Sequence, residues 1–544
     1  MGTIRVHGAS VDGMEAFVVT IEARFEASDE ARGVEVQLTG LPDSILRESR
    51  GRIACALRAA GLRIPAGRVY LNLVPAGRRK SGEGLDLALV LAAATAAGHL
   101  APRAAEGTLF LGEVGLDGRL HAVPGGLAST VAARATGLHE VVAPPATAQE
   151  AAALDDVRAF AAHSLRDVVA HLTHDASAGR ALPRASPPAP PGTPGRTPER
   201  LDEVRGQDEG KLALQVAAAG GHALLFVGPP GAGKSMLARR LIDLAPAMSL
   251  DERVEVTTVL SATGRWPRGL ASRRPFRAPH HTTSFAGLVG GGSPIAPGEV
   301  TLAHGGVLFL DELPEFGREA LEALREPLEA GEVNLSRAAR RTTLPARFQL
   351  VAAMNPCPCG YRGHARIPCH CPPSAVRRYA QRVSGPLLDR IDLRVALHPT
   401  PVEALLGAGQ GRRPAERAER GCGDSGRTED ARGDSAEGAA GPASTGAALG
   451  AAATAAWLRA HERNGGVPNA WIPAGALDAL APLEEDAADL LERAAVRGAL
   501  SARSIQSVRR VARTVADLRE MGEIDRAALA TALELRSGFR GGSA

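Results

Sequence analysis

The stretch 223-ALLFVGPPGAGKSMLARRL-241 decides the fold. Its apolar opening reads as a buried strand, and its LARRL end as the start of an amphipathic helix. Between them, Gly228-Pro229-Pro230-Gly231-Ala232-Gly233-Lys234-Ser235 matches G-x-x-x-x-G-K-[ST] with both flanks correct. The glycines let backbone N–H groups turn inward around a phosphate, and the helix N-terminus adds positive potential. In that arrangement Lys234 reaches the β and γ phosphates and Ser235 ligates Mg²⁺. Lysine occurs only at positions 80, 211 and 234, and arginine supplies nearly all the positive charge. A lysine kept against that bias points to a need for a compact ammonium. A chance glycine-rich turn is the competing reading, and it explains neither flank.

Outward from this stretch, 305-GGVLFLDELPEF-316 is an apolar strand ending in Asp311-Glu312. Asp311 suits Mg²⁺, directly or through water, and Glu312 suits polarising the attacking water. A further strand, 348-FQLVAAMNP-356, ends in Asn355, whose amide could orient that water beside the γ-phosphate. An apolar strand ending in Asp-Glu is commonplace alone; paired with a phosphate loop it points to ATP hydrolysis. No phosphate-acceptor pocket is visible, so a ring-forming NTPase is expected rather than a kinase.

The run RAPHHTTSFAGLVGGGSPIAPGEVTLAHGGVLFLDE (277–312), followed by NPCPCG and SGPLLDRIDL (384–393), resembles the magnesium-chelatase-like AAA+ ATPases of the ComM/YifB type. The resemblance implies an α/β AAA+ P-loop core with a helical lid, a homo-hexameric ring, and ATP with Mg²⁺ as cofactors. It also implies an arginine finger at Arg390, reaching the neighbouring subunit's ATP, and a sensor-2 arginine at Arg503 in 501-SARSIQSVRRVARTVADL-518. Residues 281–300 resemble the loop that interrupts the second ATPase helix, and GLVGGGSP reads as flexible. Residues 332–348, EVNLSRAARRTTLPARF, read as a hairpin with Arg337, Arg340 and Arg341 near its tip. Related helicases press a basic residue of this hairpin against DNA, and Arg337 holds the matching position. Without an aromatic at the tip, contacts are expected to be to phosphate and independent of sequence. The competing reading is a solvated hairpin with ordinary surface arginines.

The chain has 544 residues, too many for one domain. We expect an N-terminal α+β domain (1–173), a Pro-rich linker (174–200), the ATPase core (201–400), a disordered Gly/Ala/charge-rich insertion (401–452) and a helical lid (453–544). Basic and acidic residues number 63 and 60, so a polyanion site must be a local patch. The N-terminal stretches 80-KSGEGLDLALVLAAA-94 and 109-LFLGEVGLDGRLHAVPGGLAST-130 resemble the proteolytic domain of Lon, which has a ribosomal-S5-like fold. Aligned with it, Gly84 stands where the nucleophilic serine would be and Ala128 where the lysine would be. Ser81 and Lys80 are adjacent in a loop at the wrong separation, so a non-proteolytic scaffold or DNA-contacting collar is expected. The start of the chain lacks a signal layout, and 85-LDLALVLAAATAAGHLA-101 reads as a buried helix rather than a membrane span. A cytoplasmic protein is the expectation.

Four of six cysteines cluster in 355-NPCPCGYRGHARIPCHCPP-373. Cys357, Cys359, Cys369 and Cys371 suffice for one tetrahedral Zn²⁺, with His364 and His370 as substitutes, although paired zinc cysteines more often stand two residues apart. A metal-free loop and a redox function compete with that reading. The cluster follows directly on Asn355, where a rigid clip would fix that residue. Cys422 falls in the low-complexity tract and is left out. The leading functional reading is an ATP-driven DNA translocase or helicase, acting on single-stranded or branched DNA and promoting branch migration in recombination or natural transformation. A chelatase-type motor for Mg²⁺ insertion into a porphyrin, or a remodeller of protein complexes, are the alternatives.

Overall fold

The structure, a computed structural model, describes residues 3–12, 14–28, 34–40, 43–78, 80, 82, 84–173, 181–187, 201–292, 296–337, 340–364, 366–400, 445–498 and 500–538. Side chains are described throughout except at 43–50, 336, 337, 340, 341 and 445. Ser81, Cys422, residues 174–180 and 188–200 of the expected linker, residues 401–444 of the expected insertion, and the side chains of Arg337, Arg340 and Arg341 lie outside the description.

The N-terminal part contributes β1 (Ile4–Asp12), β2 (Glu15–Ala27), β3 (Val34–Thr39), β4 (Gly67–Val74), β5 (Thr108–Phe110), β6 (Glu113–Val114), β7 (Leu120–His121), β8 (Glu140–Ala143) and β9 (Arg158–Ala161). Seven of these form a mixed sheet in the order β3-β4-β2-β1-β5-β8-β9, while β6 and β7 pair by themselves. Alternation along β2 buries Phe17, Val19, Ile21 and Ala23. The alanine-rich helix Asp86–Ala96 is buried along its whole length and packs on β1 and β2, as its apolar composition requires. Lys80 is fully buried, and its Nζ donates to the carbonyls of Pro75 (2.6 Å), Arg78 (3.2 Å) and Gly40 (3.3 Å). Its ammonium ties a loop together and is engaged with main chain. One part of the expected linker packs after all. Ala185 N donates to Ala159 O (2.8 Å), Ala161 N donates to Pro183 O (3.0 Å), and Leu182 is buried. A single large apolar side chain and an outward-facing proline suffice to lay this segment along the edge at β9.

The central part contributes β10 (Leu224–Val227), β11 (Phe276–Arg277), β12 (Gly290–Gly291), β13 (Ala296–Pro297), β14 (Val307–Leu310), β15 (Glu332–Arg337), β16 (Arg340–Pro345), β17 (Gln349–Met354) and β18 (Leu393–Ala396). Five form an all-parallel sheet in the order β11-β14-β17-β10-β18. β10, β14 and nearly all of β17 are buried on both faces, which is why they read as unbroken apolar runs. β15 and β16 form the expected hairpin, with Arg337 paired to Arg340 at its far end. The expected loop at 281–300 is more ordered than its glycines suggest. Phe285–Val289 is helical, Leu288 and Val289 are buried, and β12 pairs with β13 across the undescribed residues 293–295. Two adjacent apolar side chains reaching the core outweigh the glycine content.

The N-terminal part rests on the helix Leu250–Ala262 of the central part. The buried Glu150 accepts from Ser261 Oγ (2.6 Å) and Leu127 N (3.2 Å), while Gly125 N donates to Ser261 O (3.2 Å). Burial pushes the Glu150 carboxyl up, and these donors partly offset it. Met14 belongs to the same buried cluster as Leu288 and Leu310 of the central part.

The C-terminal part is helical: Thr445–Asn464, Leu477–Leu480, Glu485–Gly498, Ala502–Leu518 and Arg526–Ser537. The first helix begins at Thr445, inside the expected disordered insertion. Gly446 N donates to Asp202 Oδ1 (2.7 Å) and Leu449 packs against the core, so anchoring contacts offset the weak local composition. A buried polar network then joins this part to the sheet. Asp517 accepts from Arg463 (2.6 and 2.9 Å), Arg513 (3.0 Å) and Asn469 (2.7 Å). Thr514 Oγ1 lies 2.7 Å from Nε2 of the fully buried His222, whose Nδ1 lies 3.3 Å from Asp392. Removing Asp517 strands two partly or fully buried guanidinium groups. Asp517→Ala is expected to lower the unfolding free energy by about 3–5 kcal/mol, read as an earlier transition in urea. An unchanged transition would show that the network does not hold the helices in place.

Candidate nucleotide site

The sheet order dictates the site. β14, β17 and β10 are neighbours, and all three end at the same carboxyl edge, where open parallel sheets bind ligands. Gly228 follows β10, Asn355 follows β17, and Asp311-Glu312 follow β14. Gly228 packs so closely that a Cβ would lie 2.6 Å from Leu397 O. Gly231 and Gly233 take φ of +81° and +83°, the left-handed conformations that turn the loop before the helix Lys234–Leu244.

Lys234 Nζ donates to Gly228 O (2.7 Å), Pro229 O (3.0 Å) and Asn355 Oδ1 (3.0 Å). All three acceptors are uncharged. Burial pushes the ammonium pKa down, and the fields of Asp311 and Glu312 restore only part of it. A desolvated cation among neutral oxygens is the electrostatic preparation for an anion. Ser235 Oγ donates to Asp311 Oδ2 (2.6 Å), placing a hydroxyl and a carboxylate together as hard oxygen donors. That donor set fits Mg²⁺ held beside a phosphate. Glu312 has φ of +52°, unusual for a residue with a side chain. Its half-exposed carboxylate lies 3.3 Å from His281 Nδ1.

The phosphate loop (Gly228, Pro229, Pro230, Gly231, Ala232, Gly233), Lys234, Ser235, Asp311, Glu312 and Asn355 therefore converge on one edge. Arg390 and Arg503 converge elsewhere. Both donate to Glu329, Arg390 also donates to Pro386 O (2.9 Å), and the two arginines line a cavity of about 470 Å³ with Asp389, Asp392 and Arg510. No phosphate-loop residue lines that cavity. The Arg390 hydrogen bond comes first among the influences that hold the Glu329 carboxyl below its usual range. Cys357, Cys359, Cys369 and Cys371 form the one cluster of metal-ligating side chains found among the described residues.

Reasoning from the sequence singled out neither His281 nor Glu329. The adjacent pair His280-His281, at the start of the 281–300 segment, was a readable signal. Glu329 gave none, because only tertiary packing brings it to the two arginines. Lys234→Ala is expected to abolish binding of a fluorescent ATP analogue. Glu312→Gln should keep that binding and lower kcat by about 10²–10⁴-fold. Full phosphate release by Glu312→Gln would remove Glu312 from the hydrolytic step.

Comparison with known proteins covers the same three parts. The magnesium chelatase subunit ChlI family matches residues 200–405, subunit ChlI of Mg-chelatase matches 26–147, and the magnesium chelatase subunit ChlI C-terminal family matches 444–536. The uncharacterized protein YifB of Salmonella typhimurium is 36% identical over 540 residues, spanning 98% of this chain and 96% of its own. Competence protein ComM of Haemophilus influenzae is 35% identical over 546 residues, 98% of this chain and 97% of its own. Lon protease 2 of Bacillus subtilis is 31% identical over 147 residues, a quarter of either chain (25% and 26%). No helix among the described residues is long and apolar enough to cross a membrane. With a phosphate loop, a Ser235–Asp311 pair and Asn355 on one parallel-sheet edge, and near full-length likeness to YifB and ComM, the chain belongs to the magnesium-chelatase-like AAA+ family of the ComM/YifB type.

Proposed function

We propose that the protein is an ATP-hydrolysing DNA translocase that assembles as a homo-hexamer and drives branch migration in recombination or natural transformation. The observation that carries this reading is the position of the arginine hairpin. The strand β14 ends at Asp311-Glu312, the chain passes through β15 and β16, and β17 then delivers Asn355. Ala346 N closes the hairpin's root on Gly331 O (2.8 Å). The element bearing Arg337, Arg340 and Arg341 is thus inserted between two strands that end in the nucleotide site, so movement of one is transmitted to the other. Likeness to a competence protein supports the same reading.

In this mechanism ATP binds with its phosphates on the loop 228–235, and Lys234 exchanges carbonyl acceptors for phosphate oxygens. Ser235 and Asp311 would hold Mg²⁺, which when bound would neutralise phosphate charge. Glu312 orients and polarises the attacking water, and Asn355 holds it beside the γ-phosphate. Arg390 reaches the ATP of the neighbouring subunit, with Arg503 on the same surface as sensor 2. The Lon-like N-terminal part serves as a non-proteolytic collar, and the four-cysteine cluster is a structural Zn²⁺ site. The cytoplasm is the compartment in which DNA and ATP meet.

A second reading, a chelatase-type motor that works with partner proteins on a porphyrin, is supported by the ChlI description of all three matching segments. ATPase rate with and without single-stranded and forked DNA separates the two. Stimulation by DNA supports the translocase; no stimulation together with no DNA binding at low salt sinks it. Arg337→Glu is expected to abolish stimulation and spare basal hydrolysis, whereas equal loss of both would mark Arg337 as structural. If each subunit of a hexamer neutralises one phosphate or more, DNA affinity should fall by about 10³-fold between roughly 50 and 200 mM salt.

A further inference from the structure

The cysteine loop touches the nucleotide site physically. Cys357 Sγ lies 3.4 Å from Cys359 Sγ and 3.6 Å from Cys369 Sγ, and Cys359 lies 3.6 Å from Cys369. All four sulfurs, Cys371 included, fall within 4.8 Å of one another, and all four thiols are free. A tetrahedral Zn²⁺ with bonds of about 2.3 Å sets its sulfurs about 3.8 Å apart, close to this spacing. Cys357 is buried and the others are partly buried, so four sulfurs are drawn together at a site closed to bulk water on one side.

Two contacts lead from this cluster to the phosphates' place. Gly360 has φ of +85°, and a Cβ there would stand 2.6 Å from Pro230 Cδ, so the cysteine loop lies directly against the tip of the phosphate loop. Asn355, two residues before Cys357, accepts the Lys234 ammonium at 3.0 Å. A cavity of about 640 Å³ is walled on one side by Gly228 and Pro229 and on the other by Cys369 and Cys371. The peptide between Asn355 and Cys371 is thus pinned at one end by the sensor strand and braced in its middle by Pro230.

We propose that Zn²⁺ bound by the four cysteines holds this loop as a brace that sets the position of Pro230, Lys234 and Asn355, so that nucleotide affinity depends on the metal. The inference rests on the ATP-site and zinc readings above and adds their coupling. Zinc binds as a tetrathiolate and releases the thiol protons to solvent. Without it, the four sulfurs are held only by weak thiol–thiol contacts and by backbone N–H groups such as those of Gly360 and Tyr361. The loop then relaxes away from Pro230, and the cradle loses its backing.

The test uses the full-length purified protein. Zinc per chain is measured by mass spectrometry, and the dissociation constant of mant-ATP by fluorescence. The expected results are one zinc per chain, its loss in Cys369→Ser/Cys371→Ser, and mant-ATP binding weakened about tenfold, within the usual range of coupling between sites. Gly360→Ala keeps every thiol but pushes on Pro230; it should retain zinc and still weaken mant-ATP binding. This second variant guards against a cysteine variant that merely fails to fold. A wild-type chain without zinc overturns the proposal. Zinc-bearing wild type that binds mant-ATP, with both variants unchanged in affinity, overturns the coupling alone. Zinc-bearing wild type that binds no mant-ATP overturns the ATP-site reading and the coupling with it.

Discussion

Lys234 carries its charge into a place where each oxygen it touches is neutral: two loop carbonyls and the Asn355 amide. Burial strips water from the ammonium, and the nearby carboxylates Asp311 and Glu312 act on it only through space. A group in that condition gains most from a polyphosphate, because phosphate oxygens replace dipoles with full charges in a shielded setting. The rest of the central part can be understood as what keeps this arrangement in register. Parallel pairing of β10 with β17, and of β17 with β14, fixes the separation of loop, Asn355 and Asp311 through backbone hydrogen bonds. Side-chain packing on both faces of the sheet makes that register stiff.

Around this centre the molecule places polar contacts where mechanical continuity is needed. The Glu150–Ser261 bond seats the N-terminal part on the helix Leu250–Ala262, which leads toward the 281–300 segment. Asp517, Thr514, His222 and Asp392 join the C-terminal helices to the sheet. Glu329 gathers Arg390 and Arg503 at the root of the arginine hairpin, since the helix Pro327–Ala330 runs directly into β15. His281 reaches Glu312 from the start of the 281–300 segment. The 281–300 segment thus meets Glu312 through His281, and the turn entering the hairpin meets Arg390 and Arg503 through Glu329.

What could be read beforehand follows a physical line. Buried parallel strands are continuous apolar runs, so β10, β14 and β17 stood out, and the glycine loop after the first and the polar residues Asp311 and Asn355 after the others were legible as site candidates. The hairpin was legible because β-prone segments flank a polar tip. Tertiary pairings were not: Glu329 looks like any surface glutamate on a short helix, and only packing brings it to two arginines. Local composition misled at two edges. Residues 445–452 look like low complexity, yet Leu449 and the Gly446–Asp202 bond extend the helix into them. Residues 181–187 look like linker, yet Leu182 finds a core. In each case one or two tertiary contacts outweigh weak local preference.

The central claim is that hydrolysis at Lys234, Asp311 and Glu312 is spent on moving DNA. The most direct measurement follows a labelled branched DNA junction incubated with the full-length protein, resolving junction from product strands over time. The account predicts conversion that requires ATP, stops with a non-hydrolysable analogue, and is lost in Glu312→Gln. A junction that stays intact while the protein hydrolyses ATP at a rate indifferent to DNA would contradict it.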